Sequence, residues 1–317
     1  MTEALIPEPL KAPWLVAVWP GMGQVALNAG FYLAAKLEMA VFAEFSPREL
    51  FDVEHVEVQN GIIRPARLPR SRFFLWRDPA QRRDLVLFIG EAQPPAGKRQ
   101  FCQGLIDISR RLGVERIFTF AAMATQMHPE AASRVFVAST DQATLDEVAL
   151  LDVQILREGT IGGLNGVLLG EAAEAGLHGT CLLGEMPHLF AQLPFPGGSL
   201  AVLKIFRELT GVALDLGELE QQTEELGRRL GELLAQVEGQ FKEEENVAGE
   251  EEAAEFAAEP EPPPKLSPEE ERRIEALFDQ ARQDRSKAYE LKRELDRLHI
   301  FADYEDRFLD LFRKGEE

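Results

Sequence analysis

From Trp14 to about Gly211, short apolar runs alternate with stretches of helical periodicity, which restricts the chain to an α/β fold with a mainly parallel sheet sandwiched by helices. The clearest strands are WLVAVW (14–19), DLVLFIG (84–90), RIFTFAAM (116–123), VQIL (153–156) and TCLLG (180–184). Helical patterns follow Gly23, span 97–113, run from Asn165 to Gly176, and follow Ser199, which is placed to cap SLAVLKIFREL with Gly211 as its stop. One stretch breaks the alternation. HVEVQNGIIRPARL (55–68) sets Asn60-Gly61 between strand-like flanks, the signal of a type I′ turn, and predicts a β-hairpin inserted after the second strand.

Beyond Asp215 the period changes. Leu219, Thr223, Leu226, Leu230, Leu233 and Val237 recur at spacings of four and three, a heptad seam. Residues 243–264 hold nine acids and no base, with EPEPPP at their end, and read as a solvated linker. A second seam follows in Ile274, Leu277, Ala281, Ala288, Leu291, Leu295 and Leu298, with Asp284 in one apolar slot and SPEEE as its helix start. The two seams are expected to pair as a coiled coil, antiparallel within the chain or between chains. Phe301, Tyr304, Phe308 and Leu311 then share one helical face, suited to docking on the domain or on a partner. The expected organisation is an α/β domain (1–215), a heptad-patterned helix (216–242), an acidic linker (243–266) and a helical C-terminal arm (267–317).

Charge narrows the partners. Of a net −20, residues 1–216 hold 24 acids against 19 bases, and residues 217–317 hold 30 against 15. That balance repels phosphate backbones and anionic lipid, so no nucleic acid and no membrane are expected, and a basic protein surface is the better partner. The opening residues lack a basic start and an apolar signal core, and no run has the length of a membrane helix, so a cytoplasmic location is expected. Cys102 and Cys181 are too far apart for paired-thiol or zinc chemistry. No GxSxG, Walker A lysine, HExxH or clustered His/Cys set is present, and no metal or cofactor is expected.

Three predicted strands end in polar residues followed by proline: Glu91 before Pro94, Thr125 before Pro129, and Glu185 before Pro187 and His188. Parallel strands deliver their carboxyl ends to one edge, so Glu91, Thr125 and Glu185 are expected to face a common crevice. There the glutamates are either an acid/base pair or clamp for a polar ligand, or acceptors for loop backbone. Gly21, Gly23 and Ala26 fit GxGxxA after the first strand, with Glu44 at the end of the next. Pro20 and the following hairpin favour a close strand-to-helix turn over dinucleotide binding, and leave anion binding open. At Gly162-Gly163-Leu164-Asn165, Asn165 is a helix cap or a ligand donor. His128 and His188, each beside a proline, complete the candidates.

WPGMGQVALNAG, FIGEAQPP, TFAAMATQMHP, SRVFVASTD, GTIGGLNGVLLGEAAEAG and CLLGEMPHLFAQLPFP together resemble the bacterial branch of the proteasome assembly chaperone two family, over roughly 14–219. The resemblance implies a sandwich related to the purine nucleoside phosphorylase fold, assembled as a homo-oligomer with a trimer favoured, and a non-catalytic protein-binding or assembly role whose client is unknown. The alternative is an enzyme or small-ligand sensor using the strand-end crevice. Assembly members of the family often end in a hydrophobic residue, a tyrosine and one further residue. This chain reads Arg313-Lys314-Gly315-Glu316-Glu317 there, so docking through such a tail is not expected.

Overall fold

The computed structural model describes residues 9–45, 47–51, 56–247, 267–298 and 300–312. Its ten strands are β1 (Trp14–Val18), β2 (Ala40–Phe45), β3 (Val56–Gln59), β4 (Ile62–Pro65), β5 (Ser71–Trp76), β6 (Leu85–Gly90), β7 (Arg116–Thr125), β8 (Val135–Ser139), β9 (Gln154–Ile155) and β10 (His178–Pro187). Eight form one sheet in the order β2-β5-β6-β1-β7-β10-β8-β9, and β3-β4 stand apart as a hairpin. The centre is parallel, β1 pairing with β6 and β7, and β7 with β10. Towards the edges β5 runs antiparallel to β2 and β6, and β8 antiparallel to β10. The hairpin turns on Asn60 and Gly61, with φ of 52° and 77°, as a type I′ turn requires.

Side-chain alternation on the central strands builds two layers. Val16 and Val18 pack with α1 (Val25–Lys36) and α5 (Pro196–Thr210), while Leu15 and Ala17 face α2 (Lys98–Leu112) and α4 (Gly163–Glu174). A short α3 (Gln142–Val148) follows β8, capped by Asp141. Then come α6 (Gly217–Val247), α7 (Pro268–Gln283), α8 (Ala288–Arg297) and α9 (Phe301–Asp310), the last three packed over α1.

Several expectations are corrected. Ser199 is no cap: Pro196, its φ already fixed for a helix, starts α5 earlier, and the Ser199 hydroxyl donates to the Val25 carbonyl at 2.9 Å. VQIL supplies only two strand residues, while SRFFLW and VFVAS form full strands. The acidic stretch read as linker begins inside α6, which continues to Val247; residues 248–266, like the chain's last five, lie outside the described residues.

The second seam is two helices. Asp284 leaves the helical region (φ −138°) and its carboxylate accepts from the Ser286 amide at 3.0 Å, so α7 and α8 fold into a helical hairpin. Among the described residues the two seams do not zip together. Ile274, Leu277, Phe278, Leu291 and Leu295 share a core with Phe31, Tyr32 and Ala35 of α1. A large apolar layer nearby offers those leucines more cover than a single facing helix. Tyr289 locks the junction: its ring packs edge-on against Tyr32 at 4.4 Å, and its hydroxyl donates to Gln222 of α6 at 2.9 Å. Phe301 and Phe308 meet Phe31 edge-on, and the Phe312 carbonyl accepts from the Val41 amide at the sheet edge.

Candidate functional site

The carboxyl ends of the parallel strands carry two polar clusters. β7 and β10 lie side by side, and Thr125 pairs in register with Pro187. Glu185, almost fully buried, accepts from Thr125 Oγ1 at 2.7 Å, from Arg134 Nε at 2.8 Å and from the Arg134 amide at 3.2 Å, with Arg134 Nη2 on its other oxygen. The Thr125 hydroxyl in turn accepts from the Met127 amide, and His188 Nδ1 lies 2.9 Å from the Thr125 carbonyl. Bonding to Arg134 holds the Glu185 carboxyl below its usual range against the opposing effect of burial. Every partner of this carboxylate comes from the β7 end or the start of β8. Its geometry is that of a brace across the Gln126–Ser133 turn.

Glu91 belongs elsewhere. It stands three strand positions from β10, about 14 Å at the usual strand spacing. Its carboxylate accepts from Arg67 at 2.6 Å, the Arg70 amide at 2.7 Å and buried Arg72 at 3.3 Å. Asp306 of α9 pairs with the same three arginines, and Glu44 with Arg72 at 3.5 Å. The common crevice expected for Glu91, Thr125 and Glu185 is thus two clusters, because β1 and β7 intervene.

The turn after β1 explains its glycines. Gly23 has φ 59°, and a Cβ there would lie 2.6 Å from Met186 Sδ. Its amide donates to the Ala191 carbonyl and its carbonyl accepts from the Phe195 amide, both at 2.8 Å. Gly21, with extended backbone, faces open space. Asn165 is no cap, since Gly162 holds that position; its carbonyl accepts from Thr119, and its Oδ1 is buried without a partner among the described residues. Gln93, which the sequence reading passed over, joins the two glycine turns by donating to the Pro20 carbonyl and accepting from the Leu164 amide. His128 accepts from the Glu130 amide.

Above the brace, Leu230 of α6 packs with Val25, Met186, Phe190 and Phe195. Gly227 lets α6 pass close to the Pro129 carbonyl, 3.0 Å from the position of an added Cβ. The first heptad helix therefore covers Met186, Phe190 and Phe195, while Leu189 and Leu193 of the same stretch stay exposed. A separate cleft of about 450 Å³ opens between the β1 turn, Glu91 and the C-terminal helices. Gly21, Gly23 and Glu91 line it together with Asp296, Phe301 and Glu305. Phe301 was expected only as part of a docking face, and Asp296 and Glu305 were not expected at a site, because only the fold-back of α8 and α9 brings them there.

The architecture is a helix-sandwiched, mixed but mostly parallel sheet with a hairpin insert, its strand-end polar groups locked in ion pairs and roofed by added helices. The PAC2 family model matches residues 15–234, and the chain belongs to the PAC2 family. An uncharacterized protein of Methanocaldococcus jannaschii is 24% identical over 218 residues, 68% of this chain and 80% of that one. Solved structures share the fold: a Mycobacterium tuberculosis proteasome-assembly chaperone homologue (TM-score 0.61, 23% identity, 69% of this chain and 94% of that one). PbaB of Pyrococcus furiosus, an archaeal proteasome activator, has a TM-score of 0.60 at 24% identity, covering 73% and 95%. A PAC2 family protein of Streptomyces avermitilis has 0.60 at 25%, covering 70% and 95%. Relatives thus come from bacteria and archaea, and α7, α8 and α9 lie beyond the family match. No described helix is long and apolar enough to cross a membrane.

Proposed function

We propose that the chain is a non-catalytic protein-binding or assembly factor of the bacterial proteasome-assembly-chaperone kind, acting in the cytoplasm as a homotrimer on a protein client. The observation that carries the reading is the β3–β4 hairpin. Val56, Val58, Ile63 and Pro65 share one of its faces by register, and all four are exposed. A lone two-stranded hairpin is marginal in water, and an uncovered apolar face of this kind marks a protein contact. Names among the structural relatives, a proteasome-assembly chaperone homologue and a proteasome activator, point the same way.

The ligand-sensor alternative has less support. At the strand ends Glu185 already receives donors from Thr125 and Arg134, leaving a polar substrate little to bind. The test is sedimentation of the intact chain beside the double variant Val58→Ser, Ile63→Ser. A wild-type mass of three 35.4 kDa subunits that falls in the variant supports the assembly, and a monomeric wild type refutes it. Capture of one reproducible client from the source cell by wild type, lost with the variant, supports the function.

A further inference from the structure

The cleft between the β1 turn and the arm has an uneven charge ledger. Lys292, behind two of its lining residues, is buried and tied to Asp296, with its ammonium 3.9 Å from the Phe301 ring centre. Arg67, Arg70 and Arg72 are held by Glu91 and Asp306. Glu305, also lining the cleft, makes no hydrogen bond or ion pair among the described residues. Burial, then the Glu91 charge, push its carboxyl up to about 7, with Arg67, Lys292 and Arg72 pulling the other way. Leu27, Phe301 and Pro194 give the cleft apolar lining beside the polar Gln24 and Gln192. A cleft holding one carboxylate with no direct hydrogen bond or ion pair, beside Leu27 and Phe301, is complementary to one cation on a hydrocarbon stem.

We propose that this cleft binds a single lysine or arginine side chain presented by a protein partner, with Glu305 as counter-ion and Leu27 and Phe301 walling the stem. The inference rests on the protein-binding reading and names the chemistry of the partner. Glu305 and Phe301 come from α9, outside the family match, so the site is an addition to the shared fold.

The probes are N-acetyl-lysine methylamide and N-acetyl-norleucine methylamide, which share a stem and differ in the ammonium, titrated into the full chain by ligand-observed NMR. The lysine probe is expected to bind at least tenfold more tightly, and Glu305→Gln to abolish the preference without lowering the thermal midpoint. Because a raised carboxyl charges only as pH rises through about 7, lysine affinity should fall about tenfold from pH 8 to pH 6 while norleucine affinity stays level. Equal binding of the two probes to wild type, or a preference that survives in Glu305→Gln, overturns the proposal. Those results leave the sedimentation and capture tests untouched, so the cleft inference and the assembly reading fail separately.

Discussion

Replacing Phe308 by alanine tests whether the C-terminal helices belong to the core or ride on it. Phe308 is fully buried and packs against Phe31 at 5.4 Å, Phe301 at 5.5 Å and Phe312 at 5.8 Å between ring centres. Truncating a buried phenylalanine costs about 3–5 kcal/mol, and three lost aromatic pairs place this site at the upper end. At about 2.1 cal/mol/K per residue, unfolding a chain of 317 residues carries roughly 0.7 kcal/mol/K, so the midpoint should fall by about 4–8 °C. Leu233→Ala on α6, at a residue 48% exposed, is the control and should change stability by less than about 0.5 kcal/mol. The assay is calorimetry with fluorescence in parallel. An early, separate transition for the arm, or a Phe308→Ala shift no larger than the control's, refutes the shared core.

Glu185→Gln should destabilise by about 1–2 kcal/mol, since a buried charge-assisted acceptor becomes a neutral amide. The Glu185 carboxyl is depressed below its ordinary 4.5, so the stability it contributes is present above that pH and is lost as pH falls further. The midpoint gap between wild type and variant should be constant from pH 6 to 8 and shrink below about 4.5 in a pH series of melts; a gap that widens in acid contradicts the brace. Burial pushes the thiols of Cys102 and Cys181 up to about 12, so iodoacetamide at pH 8 should leave both unmodified in the native protein and label both in urea, as counted by intact mass. Rapid native labelling of either would place that thiol outside the core.

The central strands were legible because burial on both faces leaves a nearly continuous apolar signature, as in LVLFIG of β6. The Asn60-Gly61 turn was legible because few other residues accept its φ values. β5 was missed although FFLW is apolar, since Arg72 within it and Arg70 just before it look like surface residues until Glu91 and Asp306 are seen to hold them. Of the candidate site, Thr125, Glu185 and His188 meet as neighbours because β7 and β10 pair directly. Glu91 parts from them because strand order, which puts β1 and β7 between, is not written in local pattern. The second seam is a buried apolar face and the first is one at Leu219 and Leu230 but not at exposed Leu233, and periodicity says how wide a face is and never what covers it.

The arm's ion pairs to the rest of the chain, such as Arg67 and Arg70 with Asp306, involve half-exposed groups, and pairs of that kind add little to stability. The hold comes from Phe301, Phe308 and Phe312 on Phe31 and Phe74, and from Tyr289 on Tyr32. Most of the arm's acids are therefore not needed to dock it. Residues 217–317 as a whole hold 30 acids against 15 bases, an excess that gives this part of the chain a negative charge. A field of that sign raises the encounter rate with a basic surface and excludes an acidic one, so the partner's charge is selected before any side chain reaches Glu305.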